Sequence, residues 1–179
     1  MNMRFLEDDT LRLRAVEPDD ADMMWAIETD SRQWVENGMS APYSRHNLRE
    51  YAENYDADPI RAGQLRLVIE KKDAAGYKSV GLIDLYEISA SNRTAFTGVY
   101  VIPEERGKGY AAGALRLIGE YAGGLLNLRI IAAKIAESNS ASRRLFEKAG
   151  YVFSGKLPEW ILSGKETHSI LIYSKKVSN

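Results

Sequence analysis

Cysteine is absent from the 179 residues. That excludes disulfides, thiolate zinc sites and a thiol nucleophile. Histidine is nearly absent: His46 and His168 are the two, too few for a multi-histidine metal site. Proline is scarce, at five residues, and no stretch is rich enough in Pro, Gly or Ser to read as a linker or a disordered arm. One domain spanning 1–179 is therefore expected. No period of about 20 to 50 residues repeats, which excludes a solenoid. No apolar run approaches about 18 residues, and the opening MNMRFLEDDT lacks a signal-peptide core, so the expectation is a cytoplasmic chain with no membrane contact. An excess of charge of one sign is missing too, with 24 basic and 25 acidic residues. A nucleic-acid partner is not expected of such a balance.

What is present is strong periodicity. LRLRAV at 11–16 alternates apolar and polar residues, as a half-buried strand does. EPDDADMMWAIETD follows, with Pro18 suited to a first helical turn and Asp19, Asp20 and Asp22 near its positive end. Ser44 can cap a second helix reaching about Asp56, before Pro59 and Gly63 break it. QLRLVIE (64–70) and SVGLIDLYEI (79–88) read as strands joined through the polar hairpin KKDAAGYK, and SASNR turns the chain into a third strand, TAFTGVYVI (94–102). Ala111, Ala114, Leu115, Ile118, Tyr121 and Ala122 then form one apolar helical stripe, ended by Gly123-Gly124. LRIIAAKIA (128–136) is apolar enough for a strand covered on both faces. A short helix capped by Ser138 or Asn139 follows, with Gly150 at its left-handed C-terminal position. YVFSGKL and HSILIYSK close the chain as strands. The order β α α β β β α β α β β combines hairpins with one β-α-β crossover. The expected class is α+β: a mixed sheet of about seven strands flanked by about four helices.

The segment VYVIPEERGKGYAAGAL (99–115) passes from an apolar strand through Arg-Gly-Lys-Gly into a helix. A helix N-terminus with glycines before it offers free N–H groups and a positive dipole end to an anion. Arg106 and Lys108 add charge suited to a pyrophosphate, and Ala111 and Ala112 leave the helix start bare. A tight, solvated turn with no ligand is the plainer alternative. Gly107-x-Gly109-x-x-Ala112 also satisfies the dinucleotide pattern G-x-G-x-x-[GA]. Its context argues against a nicotinamide enzyme. Four residues separate the glycines from the strand, and positions 125–129, where Asp or Glu belongs, are Leu, Leu, Asn, Leu and Arg.

Arg106-Gly107-Lys108-Gly109-Tyr110-Ala111 matches [QR]-x-x-G-x-[GA] and so resembles the acetyl-CoA signature of the GNAT superfamily of N-acetyltransferases. VGLIDLYEI, IPEERGKGYA, NSASRRLFEKAGY and SGKETHSILIYSK recur in family order across residues 80–176. The first half, with LRLRAVEPDD and an aromatic near Trp34, agrees more loosely. The branch it looks most like holds spermidine acetyltransferases and ribosomal-protein N-terminal acetyltransferases. The resemblance implies a splayed sheet that admits the pantetheine arm of acetyl-CoA beside strand 94–102. Backbone near Val101 and Ile102 would bond the pantetheine, and N–H groups from Arg106 through Gly107, Lys108, Gly109 and Tyr110 to Ala111 would hold the pyrophosphate. Asn139 falls where the family places an amide against the pantetheine, or else it is a plain helix cap. Ser142 and Lys148 are further cofactor candidates, as is Arg144. The acceptor would be a small-molecule amine, a polyamine or a peptide N-terminus, and a homodimer or higher homo-oligomer is open. A non-catalytic acyl-CoA-binding module is the alternative reading.

Direct acetyl transfer needs a neutral amine and a way to protonate the departing thiolate. The family's thiolate-protonating Tyr corresponds here to Phe146, which cannot donate a proton. The strand before the turn, Ala95-Phe96-Thr97-Gly98, lacks the Glu base of some relatives. Asp84 and Glu87 are then the candidate catalytic acids. Strand alternation would send them to opposite faces, and Asp84, between Ile83 and Leu85, is expected in the drier setting. Tyr86, Tyr100 and His168 read as packing residues first and proton donors second.

Overall fold

Alternation in LRLRA carries through to the structure, a computed structural model that describes residues 6–29, 41–163 and 165–177. Trp34 lies outside the described residues. Leu11 and Leu13 of β1 (Leu11–Ala15) are buried, while Arg12 and Arg14 turn to the other face and clamp Glu70. Next come α1 (Ala21–Glu28), α2 (Arg45–Glu53) and the short α3 (Pro59–Ala62). Three antiparallel strands follow: β2 (Leu65–Asp73), β3 (Gly76–Ser89) and β4 (Thr94–Val101). Helix α4 (Tyr110–Gly124) crosses over to β5 (Ile130–Ala136), parallel to β4. Helix α5 (Ser140–Lys148) precedes the closing hairpin of β6 (Val152–Ser163) and β7 (Glu166–Lys176). The seven strands form one mixed sheet in the order β1-β2-β3-β4-β5-β7-β6, as the α+β expectation requires.

Each sheet face buries its own helices. Odd-numbered β2 residues Leu65, Leu67 and Ile69 pack with Ile83 and Leu85 of β3 against Leu115 and Ile118 of α4 and Phe146 of α5. On the opposite face Val68 and Leu82 pack under Met24 and Ile27 of α1 and Leu48 of α2. β3 and β4 pass too closely at Gly81 for a side chain: a Cβ there would lie 2.0 Å from the Tyr100 carbonyl oxygen.

The structure corrects several boundaries. The residues KKDAAGYK are mostly strand, with β2 and β3 running into a tight turn at Ala74-Ala75. Pro59 does not merely end a helix. It begins α3, whose N-terminus is capped by Asp58 and which closes on Gly63 at φ +69. Five α-helices are therefore present among the described residues, one more than expected. Gly123 lies within α4, where Val177 passes so closely that a Cβ would meet its carbonyl oxygen at 1.9 Å. Gly150, at φ +86, takes the left-handed position expected after α5.

The feature that positions the site is a parting of the sheet. β4 and β5 pair at Thr94↔Ile130, Ala95↔Ile131 and Phe96↔Ala132, and no further. Residues 97–101 and 133–136 continue without pairing each other. Because the two strands are parallel, their C-terminal ends, and the starts of α4 and α5, lie at the same end of the opening, one on each rim.

Candidate active site

On the β4 side of the opening the backbone offers donors. Ile102 donates its N–H to the Val80 carbonyl at 2.9 Å. Alternation along an antiparallel ladder therefore aims the backbone groups of Val99 and Val101 away from β3, into the opening. The expectation that Ile102 bonds a ligand is corrected on this ground, since its amide is spent on β3. Beyond it, Pro103–Glu105 makes a single 3-10 turn and the chain enters α4 through Gly107 at φ +77 and Gly109 at φ +88. A Cβ at either glycine would meet nothing within 4 Å, so the turn is bare as well as left-handed. Gly113 donates the first intrahelical bond, to Gly109 at 3.0 Å, which leaves the N–H groups of Tyr110, Ala111 and Ala112 outside the helical ladder. A bare turn at the positive end of a 15-residue helix can receive a phosphate.

The two cations of this turn are exposed but fold back onto it. Arg106 donates from Nε to the Val101 carbonyl at 2.9 Å and its guanidinium lies 5.2 Å from the Tyr100 ring centroid. Lys108 folds back, its Nζ 3.0 Å from the Glu104 carbonyl and 2.9 Å from Glu105 Oε2. Glu105 is buried and takes a second bond from Lys71 Nζ at 2.7 Å. Lys108 and then Lys71 hold its carboxyl down to about 2. The Lys108 ammonium expected to meet a pyrophosphate braces the turn in this structure.

The other rim begins where β5 ends. Asn139 caps α5, its Oδ1 accepting from the Ser142 N–H at 3.0 Å, so the cap reading of this residue describes its oxygen. Ser142 is half-buried and Lys148 is exposed on the last turn, as is Arg144 farther up the helix. Phe146 points into the core, 3% exposed, with its ring edge-to-face on Tyr151 at 5.0 Å between centroids. His168 sits in the β6–β7 ladder opposite Ile161.

The face of the opening toward α1 and α2 carries ionic side chains. Asp84, opposite Gly98 in register, accepts from Arg66 Nε at 2.8 Å and from Arg66 NH2 at 2.9 Å. Arg66 also donates NH1 to Glu28 at 2.8 Å, and its backbone N–H and C=O both bond the Tyr55 hydroxyl. The dry, apolar setting expected for Asp84 is therefore corrected: flanking Ile83 and Leu85 turn to the α4 face, and a guanidinium covers both carboxylate oxygens. Glu87 departs from strand alternation as well. A bulge between Tyr86 and Ser89, with Glu87 at φ +50, swings its carboxylate to Lys134 Nζ at 2.6 Å. Lys134 lies over Phe96 and Tyr86, on the face that Asp84 occupies. Tyr86 stacks on Phe96 at 5.8 Å, and burial pushes its phenol up to about 12. Gly98 leaves bare backbone between them, where a Cβ would come no closer than 3.9 Å to the Tyr86 ring.

Arg66, Lys134, Glu28 and Gly98 escaped the sequence reading. The signal for Arg66 was a charge set between Leu65 and Leu67 at the apolar start of its strand. For Lys134 it was the one charge inside LRIIAAKIA after its first turn of chain.

Residues 10–152 match the model of the Acetyltransferase (GNAT) domain family. The spermidine N(1)-acetyltransferase of Vibrio cholerae is 28% identical over 156 residues, covering 87% of each chain. That of Escherichia coli K12 is 27% identical over 165 residues, 90% of this chain and 83% of its own. YdaF of Bacillus subtilis, a candidate ribosomal N-acetyltransferase, is 28% identical over 176 residues, 92% of this chain and 90% of its own. A crystal structure of the Vibrio cholerae spermidine N-acetyltransferase, in complex with CoA and spermine, superposes with a TM-score of 0.81 at 26% identity, covering 94% of this chain and 96% of that one. The parted sheet, the bare helix start between Arg106 and Ala111 and this match over most of the length have one explanation: the chain belongs to the GNAT acetyltransferase family and is an N-acetyltransferase that uses acetyl-CoA.

Proposed function

We propose that the whole chain works as one catalytic domain that acetylates a small primary amine, admitted over Gly98 on the α1–α2 face of the opening. The observation that carries this reading is the parting of β4 from β5 after Phe96, with backbone donors along one lip and carboxylates on one face. Val99, and Val101 through its N–H, would bond the pantetheine amides as a further strand would. The N–H groups of Gly107 to Ala111 would take the pyrophosphate, with Arg106 and Lys108 bracing the turn, and Asn139, Ser142 and Lys148 would line the second rim.

Acetyl-CoA supplies the thioester. The amine nitrogen bonds to its carbonyl carbon, the carbon–sulfur bond breaks, and the electron pair leaves on sulfur. The nitrogen gives up a proton and the thiolate takes one. With Phe146 at the family's Tyr position, water carries the second step. Asp84, held by Arg66, acts by orienting the incoming ammonium, while Glu87 holds Lys134 beside it, and the proton passes to water at the mouth of the face. Relatives named for spermidine support an amine as the acceptor.

The test is thiol release from acetyl-CoA over a panel of monoamines, diamines, spermidine and short peptides, beside CoA titration and mass detection of the N-acetyl product. Turnover on at least one primary amine is expected. CoA binding with no turnover on any of them would make the chain a non-catalytic acyl-CoA module instead.

A further inference from the structure

The face that receives the acceptor already holds an ammonium. Lys134 is the first β5 side chain on that face beyond the last register shared with β4, Phe96↔Ala132. Its Nζ is 2.6 Å from Glu87 Oε1, 4.3 Å from the Phe96 ring centroid and 5.7 Å from that of Tyr86. A carboxylate and two aromatic rings around one cation form a seat of the kind that recognises a substrate ammonium. Glu87 reaches the seat only through its bulge and a φ of +50, a backbone conformation that L side chains rarely adopt. Strain of this sort is retained where the surroundings demand it.

We propose that Lys134 is a specificity-determining residue: its ammonium fills the cation seat of Glu87, Phe96 and Tyr86, so the site takes acceptors with one ammonium and turns away diamines and polyamines. The inference rests on the reading above that the acceptor enters over Gly98. The seat lies by Phe96, two residues along β4 from Gly98, which is about 7 Å at roughly 3.3 Å per residue. That is the span of a short diamine. Its reacting nitrogen would sit over Gly98 and its second ammonium would arrive where Lys134 already is. Arg66 engages Asp84 and Glu28, so Asp84 serves the reacting nitrogen over Gly98 and neither carboxylate lies at the place of the second ammonium. The Lys134 side chain is 34% exposed, so it can be shortened or neutralised without opening the core.

The experiment compares wild type, Lys134→Met and the double variant Lys134→Met/Glu87→Gln. It measures kcat/KM for butylamine, 1,4-diaminobutane and spermidine with acetyl-CoA, and titrates 1,4-diaminobutane into each protein saturated with CoA. Wild type should favour butylamine. Lys134→Met should raise the diamine-to-monoamine ratio of kcat/KM by about tenfold or more and tighten diamine binding by a similar factor. Adding Glu87→Gln should remove both gains. A ratio that does not move in Lys134→Met, or a gain that survives Glu87→Gln, overturns the proposal. If none of the three proteins turns over any amine, the transferase reading fails by itself; the titration still decides the seat, and equal diamine affinity in wild type and Lys134→Met overturns it.

Discussion

Asp84 lies opposite Gly98, with Arg66 across the neighbouring strand, and this placement sets what its carboxylate can do. Both oxygens accept guanidinium N–H groups, a geometry for holding charge in place rather than for moving a proton. Asp84→Asn keeps the shape and removes the charge. It should raise KM for the amine and leave the pH dependence of kcat/KM between about pH 6 and 10 with its wild-type shape, acetyl-CoA affinity being unaffected. A loss of roughly 10²–10⁴ in kcat with a flattened acid limb would instead make Asp84 the general base. Phe146 answers a different question. Its ring is buried and edge-on to Tyr151, so Phe146→Ala should cost about 3–5 kcal/mol of stability, read by urea unfolding. Phe146→Tyr should fold and leave kcat unchanged if water protonates the thiolate. A higher kcat would show that this proton limits the natural enzyme.

At the scale of the element, the strand-turn-helix from β4 to α4 is where sequence and structure agree best. Two glycines at positive φ, an apolar stripe from Ala111 to Ala122 and a β-branched strand are all local signals, and each sits where the sequence placed it. Gly109→Glu tests the element, because it puts a carboxylate where an anion should bind. Gly109→Ala is its control: it carries the same strain at φ +88 without the charge. The Glu variant should lose at least about tenfold in acetyl-CoA affinity beyond the Ala variant, about 1.4 kcal/mol. Equal affinities in a titration would remove the anion from this turn. What the sequence did not disclose was decided across strands. Arg66 meets Asp84 because β2 and β3 pair in that register, and Lys134 meets Glu87 because of a bulge 47 residues earlier in the chain. No window of local sequence contains both partners. Pro59 was misread for a simpler reason: the residue that ends one helix is equally good at starting the next, and only the Asp58 cap distinguishes them.

The molecule as a whole ties its layers together with carboxylates, and this fixes how its stability should depend on pH. Burial opposes the charge on Glu70 and Asp20, but Arg14, with Arg12 on Glu70, outweighs it and holds both carboxyls below their ordinary values of 4.5 and 3.8. Lys108 and Lys71 bring Glu105 from 4.5 to about 2. For each group the folded value is depressed. The stability it contributes is present above the unfolded value and is lost as pH falls through the folded one, here between about 4.5 and 2. Tyrosines close the other side. Burial raises Tyr55 and Tyr86 from 10.0 to about 12. The fold therefore prefers their neutral form, and that contribution is lost as pH rises from about 10 toward 12. Thermal unfolding followed by circular dichroism should give a Tm that is level from about pH 6 to 9, falls below about 4.5 and falls again above about 10. Glu70→Gln removes one depressed carboxyl that joins β1 to β2. Its Tm should be lower than wild type at pH 7, with a shallower acid limb, so that the two curves converge toward pH 2. Glu105→Gln should converge in the same way and should also weaken acetyl-CoA binding at neutral pH, because Lys108 and the turn lose their brace. Parallel acid limbs in wild type and both variants would mean that these pairs are not what the folded state loses in acid.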